Sequence, residues 1–299
     1  MSKTKMWAKQ LRIHQWVKNA LLFVPVLASF QFLTLNQVQV LKLVSSFFAF
    51  CLAASAVYIF NDIFDRQNDR EHPTKRERPI AAGLISVRAG LVFAFLAVSV
   101  SVYLGFVVGI EFLLTLGVYL VGTFAYSLWL KRVALIDCIV LAGLYTVRVI
   151  AGGFASSISI SFWLLAFSAF FFLSLSWLKR YAELDTVRRS GKEVTAGRGY
   201  LVTDLPLILT FGVGSALIAV LIFSLYLDSS AIRAQYALPE IGWLAIPFLT
   251  YLVGRMWFKA FRGLMNEDPV LYLLRDWPSL VTVALMSVAL IFAHLGFGR

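Results

Sequence analysis

Apolar runs long enough to cross a lipid bilayer recur along almost the whole of this 299-residue chain, and they leave few folds open. A membrane-spanning helix needs roughly 20 apolar residues to cover the hydrocarbon layer. Runs near or above that length fall at about 20–35, 41–60, 89–108, 111–130, 134–154, 161–178, 203–226, 241–258 and 279–297. With no water inside the bilayer, each run must satisfy its own peptide groups as a helix. A composition that is 60% hydrophobic and 14% charged excludes a water-soluble fold. The expected fold is an all-α polytopic membrane protein with nine transmembrane helices, residues 1–299 forming a single membrane domain.

Charge gives the orientation. All but four of the 27 Lys and Arg lie in the N-terminal arm or in every second loop after it; Lys42, Arg148, Arg233 and Arg299 are the exceptions. Basic loops stay on the cytoplasmic side, so the N-terminus and the even-numbered loops are expected inside, in the inner (cytoplasmic) membrane, and the C-terminus outside. Topology and anionic inner-leaflet lipids therefore account for the net charge of +11, and nucleic acid is not an expected partner. Trp7 and Trp16 among lysines predict that residues 1–18 lie along the interface. Gln31 and the lack of a small-x-small cleavage site favour a first span that is retained rather than a signal peptide. Cys51 and Cys138 fall inside spans, and His14, His72 and His294 are scattered, so neither a disulfide framework nor a zinc site is expected.

The chemistry concentrates in two loops. Asn61-Asp62-Ile63-Phe64-Asp65-Arg66-Gln67-Asn68-Asp69 ends an apolar run, and its carboxylates at i, i+3 and i+7 would share one face of a continuing helix. Like charges so close require cations, and hard oxygen ligands at a helix end suit Mg²⁺ bound together with substrate phosphates. His72-Pro73-Thr74-Lys75-Arg76-Glu77-Arg78-Pro79 follows, its prolines stopping the helix and its cations suited to phosphate oxygens. The simpler reading is a solvated helix end and a positive-inside loop. Four spans later, Lys179-Arg180-Tyr181-Ala182-Glu183-Leu184-Asp185 and then Arg188, Arg189 and Lys192 repeat the order of acidic exit and basic stretch. The loops at 61–88 and 179–202 thus suggest two pseudo-repeated four-helix halves plus one helix, each half giving one wall of a cytoplasmic cleft. Lys179 and Glu183, at i and i+4, could equally form a surface ion pair. Asp137 and Arg148 carry charge into one span, on the same side but about 16 Å apart at 1.5 Å per residue, too far to pair directly. Arg148 is expected to line a cavity or meet a partner on another helix.

These residues resemble the UbiA superfamily of intramembrane prenyltransferases, whose first aspartate-rich motif N-D-x-x-D-x-x-x-D is matched by Asn61, Asp62, Asp65 and Asp69. More narrowly, Gln15-Trp16-Val17-Lys18-Asn19, the 72–83 segment, Leu135-Ile136-Asp137, Arg148-Val149-Ile150-Ala151-Gly152-Gly153 and Lys179-Arg180-Tyr181-Ala182-Glu183 are similar to its decaprenyl-phosphate phosphoribosyltransferase branch. Typical aromatic prenyltransferases carry a second D-x-x-x-D where this chain has Lys179 and Glu183. That exchange removes a metal ligand and adds a phosphate contact. The resemblance implies Mg²⁺-dependent transfer of 5-phosphoribose from 5-phosphoribosyl 1-diphosphate to a polyprenyl phosphate. In this reading Asp62, Asp65 and Asp69 hold metal, and Asp62, Asp65, Lys179 and Glu183 serve catalysis. Lys18, Asn19, Asn61, Lys75, Arg76, Arg78, Tyr126, Arg148, Arg180, Tyr181 and Arg189 bind substrate. An isoprenoid transfer from its diphosphate to a small acceptor is the alternative enzyme, and a lipid transporter a third reading.

Overall fold

The structure is a computed structural model that describes residues 2–71, 75–191, 193, 197–265 and 268–296. Among these residues the secondary structure is helical throughout. Eight helices are long and apolar enough to span a membrane: α1 (Gln37–Phe64), α2 (Val87–Val108), α3 (Ile110–Leu128), α4 (Ile136–Ser156), α5 (Phe162–Arg189), α6 (Val202–Asp228 with its opening 3₁₀ turn), α7 (Pro239–Phe261 with its leading turn) and α8 (Trp277–Leu295). Side-chain caps start several of them. Asn36 and Gln39 form a reciprocal capping box on α1, Ser86 caps α2 and Ser161 caps α5. The joint between α2 and α3 is the single residue Gly109, whose φ of 148° a side chain would disfavour.

The first expected span, over 20–35, is not one continuous helix. It is divided into a 3₁₀ stretch Ile13–Phe23, a short α-helix Val24–Ala28 and a 3₁₀ turn Gln31–Leu33, with left-handed backbone at Arg12 and Phe30. The cause is packing. Trp16 Nε1 donates to Ser55 Oγ at 3.0 Å, and Ser55 Oγ in turn donates to the Leu11 carbonyl at 2.9 Å. Gly152 brings its backbone so close to the Leu22 carbonyl that any Cβ would collide with it. The arm before this stretch also differs from a free interfacial helix: Met6, Trp7 and Leu11 pack on the Ala56–Ile59–Ile80–Ala94 cluster, and the Trp7 ring lies 4.9 Å from Phe93.

Two compact units are present. The first comprises Met1–Trp129 and Val147–Ile160, the second Leu130–Thr146 and Ser161–Arg299, so the chain divides between the fourth and fifth expected spans and again within α4, whose last part returns to the first unit. In the first unit α1 packs on α2 through small residues. Gly90, Ala94, Ala97, Ser101 and Gly105 are buried on one side of α2, and Ser101 Oγ donates to the Ala49 carbonyl at 2.8 Å. Close backbone approach replaces a hydrophobic drive that lipid cannot supply. The second unit repeats the device with α5 on α6. Ser174 Oγ donates to the Gly212 carbonyl at 2.8 Å and accepts from Trp257 Nε1 at 3.0 Å, while Gly212 leaves room for the Trp257 ring. Large side chains such as Phe95, Phe106 and Val121 stand more than two-thirds exposed on these helices, as a surface facing lipid requires.

Candidate functional site

In the first unit the carboxylates come together differently from one helical face. Helix α1 ends at Phe64, Asp65 is its half-buried cap, and a six-residue helix Arg66–Glu71 follows; the Asp69 N–H donates to the Asp65 carbonyl at 2.8 Å across the junction. Asp62 and Asp69, each only 2% exposed, then meet at one guanidinium. Arg78 Nη1 donates to Asp62 Oδ1 at 3.1 Å and to Asp69 Oδ2 at 2.7 Å. Arg12 Nη2 donates to Asp62 Oδ1 at 2.6 Å and Gln10 Nε2 to Asp62 Oδ2 at 2.9 Å. Asn61 Nδ2 donates to Ser127 Oγ at 3.0 Å, holding the end of α1 to the end of α3. Lys75 and Arg76 are exposed beside this cluster in a 3₁₀ turn, and Tyr126 is half-buried on α3. His72, Pro73 and Thr74 lie outside the described residues.

Does this cluster suit a divalent cation? Two buried carboxylates already share one cation, so their oxygens can approach the same point without repelling, and hard anionic oxygens are what Mg²⁺ selects. The fit is to Asp62 and Asp69. Among the described residues no three His, Cys, Asp or Glu side chains are grouped closely enough to hold a metal, so a third ligand would have to come from movement at Asp65 or from substrate.

Deeper in the same unit Arg148, nearly buried, donates from Nε to Asn19 Oδ1 at 2.9 Å and from Nη2 to Tyr119 OH at 3.1 Å, its guanidinium 4.6 Å from the Tyr119 ring centre. Asn19 Nδ2 donates onward to Cys51 Sγ at 3.3 Å, and Lys18 beside it is buried. The intramembrane arginine thus has partners on two other segments, as its charge demands.

The second unit contains a separate ionic cluster. Arg180 and Asp137 are both 0% exposed, with Nη2 and Oδ2 2.8 Å apart. Tyr200 OH donates to Asp137 Oδ1 at 2.5 Å and accepts from the Leu135 N–H at 2.8 Å; burial pushes its phenol pKa up, keeping the proton on the oxygen that donates it. Arg180 also pairs with Glu183, and Glu183 lies 3.8 Å from Arg198. The expected substrate contact Arg180 and the expected catalytic residue Glu183 are therefore committed to each other, and Arg180 to Asp137 as well. Lys179 Nζ donates to Asp268 Oδ2 at 3.1 Å. Asp185, 2% exposed, accepts from Arg188 Nη2 at 2.5 Å and Arg189 Nε at 2.8 Å, and Tyr181 is buried against Trp257. Lys192 lies outside the described residues.

Gln10, Arg12, Tyr119, Arg198, Tyr200 and Asp268 complete these clusters without having been singled out in the sequence. For Asp137 a signal existed, since a carboxylate inside a span needs a cation and Arg180 is one turn from the end of an apolar run. Removing either partner of such a buried pair strands the other. Asp137→Ala is expected to lower stability by about 3 kcal/mol or more, read as a fall in the unfolding midpoint in detergent. Tyr200→Phe, which deletes hydrogen bonds and no charge, should cost about 1 kcal/mol. Equal effects would mean that Arg180 is held chiefly by Glu183.

A model of the UbiA prenyltransferase family matches residues 22–272. The chain is 35% identical over 301 aligned positions to the decaprenyl-phosphate phosphoribosyltransferase of Mycobacterium tuberculosis, covering 97% of this chain and 94% of that one. It is 37% identical over 296 residues to the uncharacterized protein y4nM of Sinorhizobium fredii, covering 97% of this chain, and it spans 56% of that relative's length. A solved UbiA homolog from Archaeoglobus fulgidus, bound to GPP and Mg²⁺, shares the fold with a TM-score of 0.69 at 16% identity over 95% of this chain and 97% of that one. With a match running from the broken first segment to beyond α7, and eight apolar helices arranged in the same fold, this chain is a multi-pass integral membrane protein that belongs to the UbiA prenyltransferase family of transferases.

Proposed function

We propose that the protein transfers 5-phosphoribose from 5-phosphoribosyl 1-diphosphate to a polyprenyl phosphate, releasing diphosphate. The observation that carries the reading is the convergence of Asp62 and Asp69 on Arg78 at the end of an apolar helix, a charge-matched place for a metal and a diphosphate. The choice of donor and acceptor is supported by the 35% identity to a decaprenyl-phosphate phosphoribosyltransferase and by Lys179 standing where a second D-x-x-x-D would begin.

Held by Asp62 and Asp69, Mg²⁺ would neutralise charge developing on the leaving diphosphate. The chain's own residues do the rest. Asp62 and Asp69, with Asp65 at the bend between the two helices, are the residues that would hold the cation. Arg78, Arg76 and Lys75 offer guanidinium and ammonium donors to the diphosphate oxygens. Lys179 binds the 5-phosphate, and Asp268 keeps that ammonium extended. The lipid phosphate oxygen attacks C1 of the ribose as the C1–O bond to diphosphate breaks. It is an anion already, so no residue need remove a proton, and a single displacement inverts C1. Arg180, enclosed by Asp137, Glu183 and Tyr200, positions its neighbour Lys179 and stays off the substrate.

The reading is tested by incubating the purified protein with radiolabelled phosphoribosyl diphosphate, Mg²⁺ and polyprenyl phosphates of several lengths. Transfer of label to lipid is expected. Transfer only when a prenyl diphosphate is the donor would replace this reaction with isoprenoid transfer. Orientation is open to an independent check. A cysteine in the Lys75–Arg78 segment should react only with reagents that reach the cytoplasm, and one at Ser229 only from outside; the reverse pattern would deny a cytosolic sugar phosphate access to the carboxylates.

A further inference from the structure

The N-terminal arm reaches the carboxylate cluster at three points. Arg12 bonds Asp62 at 2.6 Å, Gln10 bonds its other oxygen at 2.9 Å, and Lys9 lies 3.8 Å from Glu77 of the basic segment. Two features are unlike a finished structural ion pair. Gln10 is 0% exposed, yet its Oε1 has no hydrogen-bond partner among the described residues, a buried acceptor directly beside Asp62 that calls for a proton donor or a cation. The Arg12 and Arg78 side chains are 24% and 28% exposed where Asp62 is 3%, so both guanidiniums reach water and the carboxylate does not.

Charge completes the argument. Asp62, Asp69, Arg12 and Arg78 sum to zero, so a divalent cation cannot add itself to this cluster without releasing positive charge from the carboxylates. Diphosphate arriving with the metal brings the negative charge that two released guanidiniums would meet, in a geometry that Arg matches with two parallel hydrogen bonds. Arg12 has a second resting place nearby, since its guanidinium already lies 4.4 Å from the Tyr58 ring centre.

We infer that the arm is part of the diphosphate site: Arg12 holds Asp62 in the empty protein and transfers to the diphosphate oxygens when metal takes the carboxylate, while Gln10 Oε1 accepts from the water or hydroxyl brought in with them. This rests on the metal-diphosphate reading above but not on which donor carries the diphosphate.

The test is binding, measured by calorimetry on the full-length protein in detergent, with Mg²⁺ alone and with inorganic diphosphate at saturating Mg²⁺. For Arg12→Gln, Mg²⁺ should bind as well as to the native protein or better, because a competing cation is gone. Diphosphate should bind on the order of ten- to hundredfold more weakly, the worth of one charged hydrogen-bond pair. Arg12→Lys keeps the charge on Asp62 and carries the same test if the neutral variant misfolds, with Mg²⁺ unchanged and diphosphate severalfold weaker. Native diphosphate affinity in both variants overturns the inference and leaves the proposed reaction standing. Parallel loss of Mg²⁺ and diphosphate also overturns it, showing that Arg12 merely holds Asp62 in place. Failure of the native protein to bind diphosphate with Mg²⁺ removes the proposed reaction as well.

Discussion

Asp62→Asn is expected to leave the protein folded and to lower turnover by about two to four orders of magnitude, the scale of one metal contact worth several kcal/mol in the transition state. The amide keeps the shape of the side chain and removes the charge that Mg²⁺ needs. Folding survives because Arg78 retains Asp69 and because the Arg12 side chain is partly exposed to water, so neither guanidinium is stranded. Asp69→Asn should lose nearly as much. Asp69 is as buried as Asp62 and shares its arginine. Turnover at saturating Mg²⁺ and the unfolding midpoint check both variants, and near-native rates in either would take the metal away from that carboxylate.

The membrane architecture was legible because it depends on local composition. Eight of the nine expected spans fall on helices, seven of them to within about four residues at either end, while α5 runs on past 178 to Arg189; an apolar run in lipid has helix as its solution whatever surrounds it. The run at 20–35 met a different constraint: Gly152, more than a hundred residues on, brings its backbone against Leu22, and no local pattern announces that. The candidate sites divide in the same way. The N-D-x-x-D-x-x-x-D spacing put Asp62 and Asp69 within reach of each other, but Gln10 and Arg12, which hydrogen-bond Asp62, come from 52 and 50 positions away. Arg180 and Glu183 looked like substrate contacts because polar residues at a helix exit usually face water. Tertiary packing turned Arg180 inward to Asp137 and left Glu183 paired with that same arginine. Lys179 found its partner 89 residues later, at Asp268.

That last pair sharpens the other large prediction. If the Lys179 ammonium contacts the donor's 5-phosphate, Lys179→Asp should abolish phosphoribosyl transfer, because the phosphate and Asp268 would both face a new negative charge in a partly dry site, at a cost of several kcal/mol. Lys179→Gln should mainly raise the donor KM. The pairing with Asp268 supplies a further control. Lys179→Asp combined with Asp268→Lys restores the ion pair with its polarity reversed, and moves the ammonium to a different element. Should the role of Lys179 be only to hold Asp268, which caps the short helix Pro269–Leu273, the reversed pair ought to recover activity. A phosphate contact requires the ammonium where α5 places it, so the double variant should stay inactive with phosphoribosyl diphosphate while regaining the thermal stability that Lys179→Asp loses. For isoprenoid transfer, an aspartate at 179 would restore the second D-x-x-x-E/D pattern with Glu183 and should be tolerated with a prenyl diphosphate donor. Measuring the three variants against both donors separates the two reactions, and full phosphoribosyl transfer by Lys179→Asp would refute the phosphate contact.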